Sequence, residues 1–165
     1  MLRLLSDDEL TLIYNQYMIY DFPDNELKPL DMLIKNPDEY CYGYEDKGYC
    51  HLMIKNKVCI LDYLAVFPSY RNKGYGAIIL KEIRELLKDH VIIIESETPY
   101  DDLSKRRISF YTRNGFILNS IDVYLYYVHY NILSNVPVDA DKILEIYKTF
   151  YPDHLIEHHL EINAI

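Results

Sequence analysis

The chain has 165 residues and a mass of 19.7 kDa, enough for one hydrophobic core and too little for a second independent one. Half of the residues are hydrophobic and about a quarter are charged, the balance of a folded globular chain and not of a disordered one. A net charge of −9 repels phosphate backbones, which argues against nucleic acid as a partner, and the same sign favours the approach of a cationic amine.

Ser6 with Glu9 three residues on forms a capping-box signature, and Leu10, Ile13, Tyr14, Tyr17 and Met18 then recur at helical spacing. A helix is therefore expected from there to about Tyr20, broken by Asp21-Phe22-Pro23-Asp24. A second helix starts near Pro29, a first-turn residue, and ends before Pro37. Residues 40–45 and 49–55 read as strands joined across Asp46-Lys47-Gly48. Residues 58–66 form an apolar run suited to a central strand buried on both faces. An amphipathic helix over 74–88, an apolar strand over 91–95 and a helix over 103–114, stopped at Asn114-Gly115, follow in turn. Residues 117–119 and 123–130 read as a closing antiparallel pair, and 139–151 as a final helix stopped by Pro152. The order implies one α/β (α+β) domain over 1–165, with helices packed on a mixed sheet.

The eighteen tyrosines, with no tryptophan, read as a tyrosine-rich core and surface, since the ring fills space while its hydroxyl stays wet. Cys41, Cys50 and Cys59 fall in predicted strands without a CxxC pair and read as small reduced hydrophobes. An N-terminus that turns acidic by Asp7 does not read as a signal peptide, and no apolar run has the length of a membrane span. The expected location is the cytoplasm. His158-His159 lacks ligand spacing with any other cluster, so no metal site is expected.

The segment that carries chemistry is residues 64–77, where a buried strand runs through a short loop into a helix opened by Gly74-Tyr75-Gly76. Amides of a helix's first turn have no internal partner, the helix dipole puts partial positive charge there, and glycines let an anion approach. The result is a cradle for a pyrophosphate, with Arg71 and Lys73 adding charge nearby. A P-loop does not fit, because Lys73-Gly74 is followed by Tyr75, and a dinucleotide fingerprint lacks its third glycine at Ile79.

Arg71-x-x-Gly74-x-Gly76 after Leu64-Ala65-Val66-x-Pro68 resembles the acyl-CoA-binding motif of the GNAT N-acyltransferases. Phe110-Tyr111-x-x-x-Gly115-Phe116 is similar to that superfamily's second signature, and the stretch from Tyr17 to Pro29 looks like an uncharacterised bacterial subgroup. The resemblance implies the GNAT fold, a mostly antiparallel mixed sheet with splayed central strands and flanking helices. It implies acetyl-CoA as donor, its pantetheine arm on the backbone of Leu64, Ala65 and Val66. The amides of Asn72, Lys73, Gly74, Tyr75, Gly76 and Ala77 would then hold the pyrophosphate beside Arg71. Ser104 stands where many relatives place a coenzyme-contacting Asn, and a hydroxyl has less reach than an amide.

Acyl transfer from a thioester to an amine needs a neutral amine and a protonated leaving thiolate, and only about one alkyl ammonium in 10³ is neutral at pH 7. The resemblance implies direct attack in a ternary complex. Tyr111 takes the position of the general acid, and Glu95, at the end of the fifth strand, that of the base; Asp62 is the rival base. Glu97 shares a strand face with Glu95. The acceptor is expected to be a small-molecule amine, with a protein N-acetyltransferase or a non-catalytic acyl-CoA sensor as alternatives. Helices over 6–36 would cap the acceptor side, with Tyr14, Tyr17, Asp21, Phe22 and Glu26 as lining candidates, although core packing explains the aromatic ones equally well. The sequence sets neither the acceptor nor the oligomeric state.

Overall fold

The computed structural model describes residues 1–97 and 101–165. The architecture is α/β, with eight strands hydrogen-bonded in the order residues 2–4, 39–44, 48–55, 58–66, 91–97, 128–134, 117–125 and 160–164. The chain divides into two compact units, residues 1–54 with 61–88 and residues 55–60 with 89–165, so that β4 (Val58–Val66) runs through both.

The first unit opens with β1 (Leu2–Leu4), a strand too short to register in the sequence, which pairs antiparallel with β2 (Glu39–Tyr44). The capping box forms as expected. Ser6 Oγ accepts the Glu9 amide at 3.2 Å, Glu9 Oε2 accepts the Ser6 amide at 2.9 Å, and Arg3 grips the same carboxylate at 2.7 Å. That hold lowers the Glu9 pKa to about 2, first through Arg3 and then through the Ser6 amide. Helix α1 (Asp7–Ile13) passes into a π-helical turn (Tyr14–Met18) and ends in α2 (Ile19–Asp21). The extra residue of that turn shifts the apolar stripe, so Met18 is fully buried beside Leu10. Helix α3 (Leu30–Lys35) follows Pro29.

β2 pairs with β3 (Gly48–Lys55), setting Cys41 opposite His51 and Tyr44 opposite Gly48. Glycine is required at position 48, because a Cβ there would stand 2.5 Å from the Ala65 carbonyl oxygen. Asn56 and Lys57 turn the chain into β4 with positive φ (51° and 59°), the backbone of a tight hairpin. Helix α4 (Tyr75–Leu86) buries Ile79, Leu80 and Ile83. Cys41, Cys50 and Cys59 are buried thiols on β2, β3 and β4, as the strand reading expects.

The second unit holds β5 (Val91–Glu97), α5 (Asp102–Arg113), β6 (Ile117–Leu125), β7 (Val128–Ser134), α6 (Ala140–Phe150), α7 (Asp153–His159) and β8 (Leu160–Ala164). β7 pairs with β5 and β6, and β8 returns to pair with β6, all antiparallel. The expected strand over 123–130 is corrected: it is two strands, turned at Tyr126 and Tyr127, with Leu125 opposite Val128. Both turn residues adopt positive φ (48° and 68°), a conformation normally left to Asn and Gly, so no turn signal marks them in the sequence. Tyr126 is held by its stacking on His159 (4.8 Å), whereas the Tyr127 side chain is 93% exposed. Tyr127→Gly is therefore expected to stabilise the protein by about 0.5–1 kcal/mol through relief of left-handed strain, read as a higher urea midpoint. Among the described residues, no helix is long and apolar enough to cross a membrane.

Candidate functional site

In the first unit, β4 ends at Val66, and a 3₁₀ turn (Pro68–Tyr70) leads into the loop before α4. Asn72 and Gly74 take positive φ (61° and 86°), and Gly74 is the residue that precedes α4. The first bond of the helix runs from the Ile78 amide to the Gly74 carbonyl at 3.3 Å, so the amides of Tyr75, Gly76 and Ala77 belong to its orphan first turn. A Cβ on Gly74 would meet nothing within 4 Å, so the space before this turn is open. The loop and helix start expected from the sequence are present, and amides and a dipole so placed are of the kind that attract an anion.

The two cations beside the cradle are partly engaged. Arg71 donates from Nε to the Val66 carbonyl (2.9 Å) and from Nη2 to Asp21 (2.8 Å). Lys73 donates to the Ser69 carbonyl at 3.1 Å. Arg71 thus staples the loop to the end of β4, where Leu64, Ala65 and Val66 are half-buried. Tyr49 donates to the second oxygen of Asp21 at 2.8 Å, and burial with that bond raises the Tyr49 pKa.

Asp62, the rival base, belongs to a buried ionic cluster that the sequence did not disclose. Lys28 Nζ lies 2.7 Å from Asp62 and 3.0 Å from Glu39, and touches Met53 Sδ at 2.9 Å. His51, fully buried, stands between Glu39 (2.5 Å from Nε2) and Asp62 (3.2 Å from Nδ1), in charge contacts that are not aligned hydrogen bonds. Burial opposes the Asp62 charge, but Lys28 and then His51 outweigh it and hold the pKa below the ordinary value. Burial pulls His51 down, yet Asp62, Cys41 and Glu39 together raise it well above the usual range. The main chain of Lys28 is pinned as well: its amide donates to Tyr63 Oη, and its carbonyl accepts from Tyr14 Oη, both at 2.9 Å. Glu39, His51 and Asp62 are ligand types gathered within 4.8 Å, and the Lys28 ammonium already stands between the two carboxylates, where a cation would go.

In the second unit, Asp101 caps α5, accepting both the amide and the hydroxyl of Ser104 at 2.8 Å. The Ser104 proton is thus committed to the cap, which leaves its oxygen as the part able to meet a ligand. The far end of α5 closes as a Schellman motif: the Phe116 amide donates to the Tyr111 carbonyl (3.1 Å) and the Gly115 amide to that of Thr112 (3.2 Å), with Gly115 at φ 90°. The ring of Tyr111 meets those of Phe110 and Phe116 edge-on, at 5.2 and 6.1 Å. Burial raises the Tyr111 pKa to about 12 against a downward pull from Arg107, so its phenol stays protonated. Glu95 accepts from Tyr147 Oη at 3.0 Å, and Tyr147 is fully buried on α6.

Of the acceptor-side candidates, Tyr14, Tyr17 and Phe22 pack against the core of the first unit, with Tyr17 on Phe67 (4.4 Å) and Phe22 on Tyr63 (4.7 Å). Asp21 is taken up by Tyr49 and Arg71, and the Glu26 carbonyl accepts from Tyr63 Oη at 2.7 Å. Packing accounts for the aromatic members. Sequence reasoning missed Lys28, Glu39, His51 and Tyr147, and the one available signal was polar residues set within apolar runs.

Residues 37–118 match the family profile of the acetyltransferase (GNAT) domain. A candidate GNAT-family acetyltransferase of Bacteroides thetaiotaomicron superposes with a TM-score of 0.77 at 23% identity, over 90% of this chain and 93% of that one. A spermidine N-acetyltransferase of Vibrio cholerae gives 0.60 at 16% identity, over 81% and 91%. A ribosomal-protein alanine N-acetyltransferase of Escherichia coli gives 0.58 at 14%, over the same shares. At these identities the superpositions speak to the fold alone. No curated protein matches the chain. The profile match, which spans both motifs, identifies residues 37–118 as an acetyltransferase domain of the GNAT type.

Proposed function

We propose that the protein moves an acetyl group from acetyl-CoA to a primary amine by direct attack, with a small-molecule amine as acceptor. The observation that carries this reading is the open cradle at Gly74, with the first-turn amides of α4 behind it. In this reading the backbone of Leu64, Ala65 and Val66 receives the pantetheine arm, and the amides of residues 72–77 receive the pyrophosphate. Tyr111 delivers the proton to the departing thiolate, a role suited to a phenol that stays protonated across the working pH range. Glu95 takes the proton from the amine. Asp62 is less suited to that role, because its charge is spent on Lys28 and His51.

The net charge of −9 supports a cationic acceptor. Relatives of the same fold act on spermidine or on a ribosomal-protein alanine, so polyamines and peptide N-termini are the first acceptors to test. The segment over 6–36 would cap the acceptor side, and the cytoplasm is the proposed location.

Saturating acetyl-CoA at a hundredfold excess over Kd is expected to stabilise the protein by about 2.7 kcal/mol, with NAD and ATP at equal concentration doing much less. Gly74→Asp should abolish that shift. No neighbouring protein atom opposes the new side chain, but the left-handed backbone (φ 86°) strains any residue with a Cβ, so the readout is the shift on adding acetyl-CoA and not the baseline stability. An equal shift with ATP, or none with acetyl-CoA, would overturn the donor assignment in a melting experiment. A thiol-release screen across polyamines, amino acids, amino sugars and peptides then identifies the acceptor. Coenzyme binding without turnover of any amine would favour the sensor alternative.

A further inference from the structure

We infer that Tyr147 is a positioning residue for the base, its hydroxyl fixing the Glu95 carboxylate from inside the second unit. The inference rests on the reading of Glu95 as base, and it adds a residue outside both motifs and outside the matched residues 37–118. The physical ground is the place of a hydroxyl in an apolar stripe. Helix α6 turns Ile143, Ile146 and Tyr147 into the core, each at most 1% exposed, and for packing alone a phenylalanine would fill the third place. A buried hydroxyl needs a partner, and the partner here is Glu95 Oε2 at 3.0 Å.

The two sides of that bond differ in freedom. Tyr147 is locked by its neighbours and by stacking on Tyr151, 5.6 Å between ring centres. Glu95 is the first half-exposed residue after three buried isoleucines of β5, and its strand register against Ile132 is fixed. A carboxylate on a two-carbon arm at such a place has several rotamers open to it, and a rigid donor is one contact that selects among them. A donor to the ionised carboxylate also favours the charged form, the form a base must start from. Among the described residues, Tyr130 and Tyr151 also stand near the Tyr147 phenol.

The test is kinetic and uses the full chain, with acetyl-CoA as donor. The acceptor is whichever of spermidine, free lysine, glucosamine and an alanyl peptide the unmodified protein acetylates fastest. Tyr147→Phe should lower kcat roughly tenfold, a fraction of the range a general base supplies, while the KM for acetyl-CoA stays within twofold. In a Glu95→Gln background the same change should have no further effect, because both act on one proton transfer. A Tyr147→Phe variant with full turnover beside a slow Glu95→Gln would overturn the positioning role and leave the base standing. An equal loss in both backgrounds would also overturn it. Full turnover by Glu95→Gln would remove the base itself, and the inference with it. Should Tyr147→Phe fail to fold, Tyr147→Met, which also removes the hydroxyl but fills the core with an adaptable apolar chain, replaces it in the same cycle.

Discussion

Lys28→Met is expected to lower the unfolding free energy by about 3 kcal/mol, since removing one partner of a buried ion cluster leaves uncompensated charge. The methionine keeps the length of the side chain, and among the described residues His51 is then the cationic group left between Glu39 and Asp62. A second substitution, Asp62→Asn, should recover part of the loss, and urea unfolding of the double-mutant cycle measures the coupling. The cluster also sets a pH window. Asp62 is held below its unfolded value, so its contribution is complete above about pH 4 and fades as pH falls further. His51 is held above its unfolded value, so its contribution is complete below about pH 6.5 and fades as pH rises toward the raised pKa. Stability from this cluster should therefore peak between those limits, and His51→Gln should remove the decline on the alkaline side. A flat stability profile from pH 4 to 9 would contradict the charge assignment.

Tyr111→Phe is expected to reduce kcat about a hundredfold while acetyl-CoA affinity is retained, because only the proton for the leaving thiolate is lost. The phenol carries no charge until about pH 12, so its own ionisation cannot produce an alkaline limb in the working range. Glu95→Gln should behave differently, its deficit shrinking as pH rises and more of the amine is neutral unaided. Nearly full turnover by Tyr111→Phe, measured with acyl transfer rate-limiting, would make the tyrosine a packing residue.

Most of the scaffold was legible because its signals are local. Ser6 and Glu9 marked the first helix, Asn114-Gly115 ended α5, and the apolar run over 58–66 is β4 to the residue. The loop and helix start at Gly74 were legible for the same reason: glycine spacing and a helix start are properties of one short segment. Two failures have physical causes. The turn at Tyr126 carries no turn residue, because partners distant in sequence, such as His159, hold a strained backbone that local chemistry disfavours. The ionic cluster draws Lys28, Glu39, His51 and Asp62 from a loop and three strands, and only the sheet register brings them together. The second motif is a more subtle case. The interval from Tyr111 to Gly115 and Phe116 is what a Schellman helix end requires, so the spacing alone would arise without catalysis. The role of the Tyr111 side chain therefore stands on its own experiment.

Cys41, Cys50 and Cys59 lie on three strands in succession, each buried, and burial pushes the Cys50 thiol well above its ordinary pKa. Native protein should consequently be silent toward a thiol-reactive dye, so coenzyme A released during turnover can be followed without background from the enzyme. The same silence makes the three positions a clock. Single-cysteine versions, with the other two replaced by alanine, would be modified only when their own strand opens, at rates set by the local opening free energy. If acetyl-CoA clamps β4, dye uptake at Cys59 should slow most when the coenzyme is added, giving a strand-by-strand record of which part of the sheet a ligand tightens.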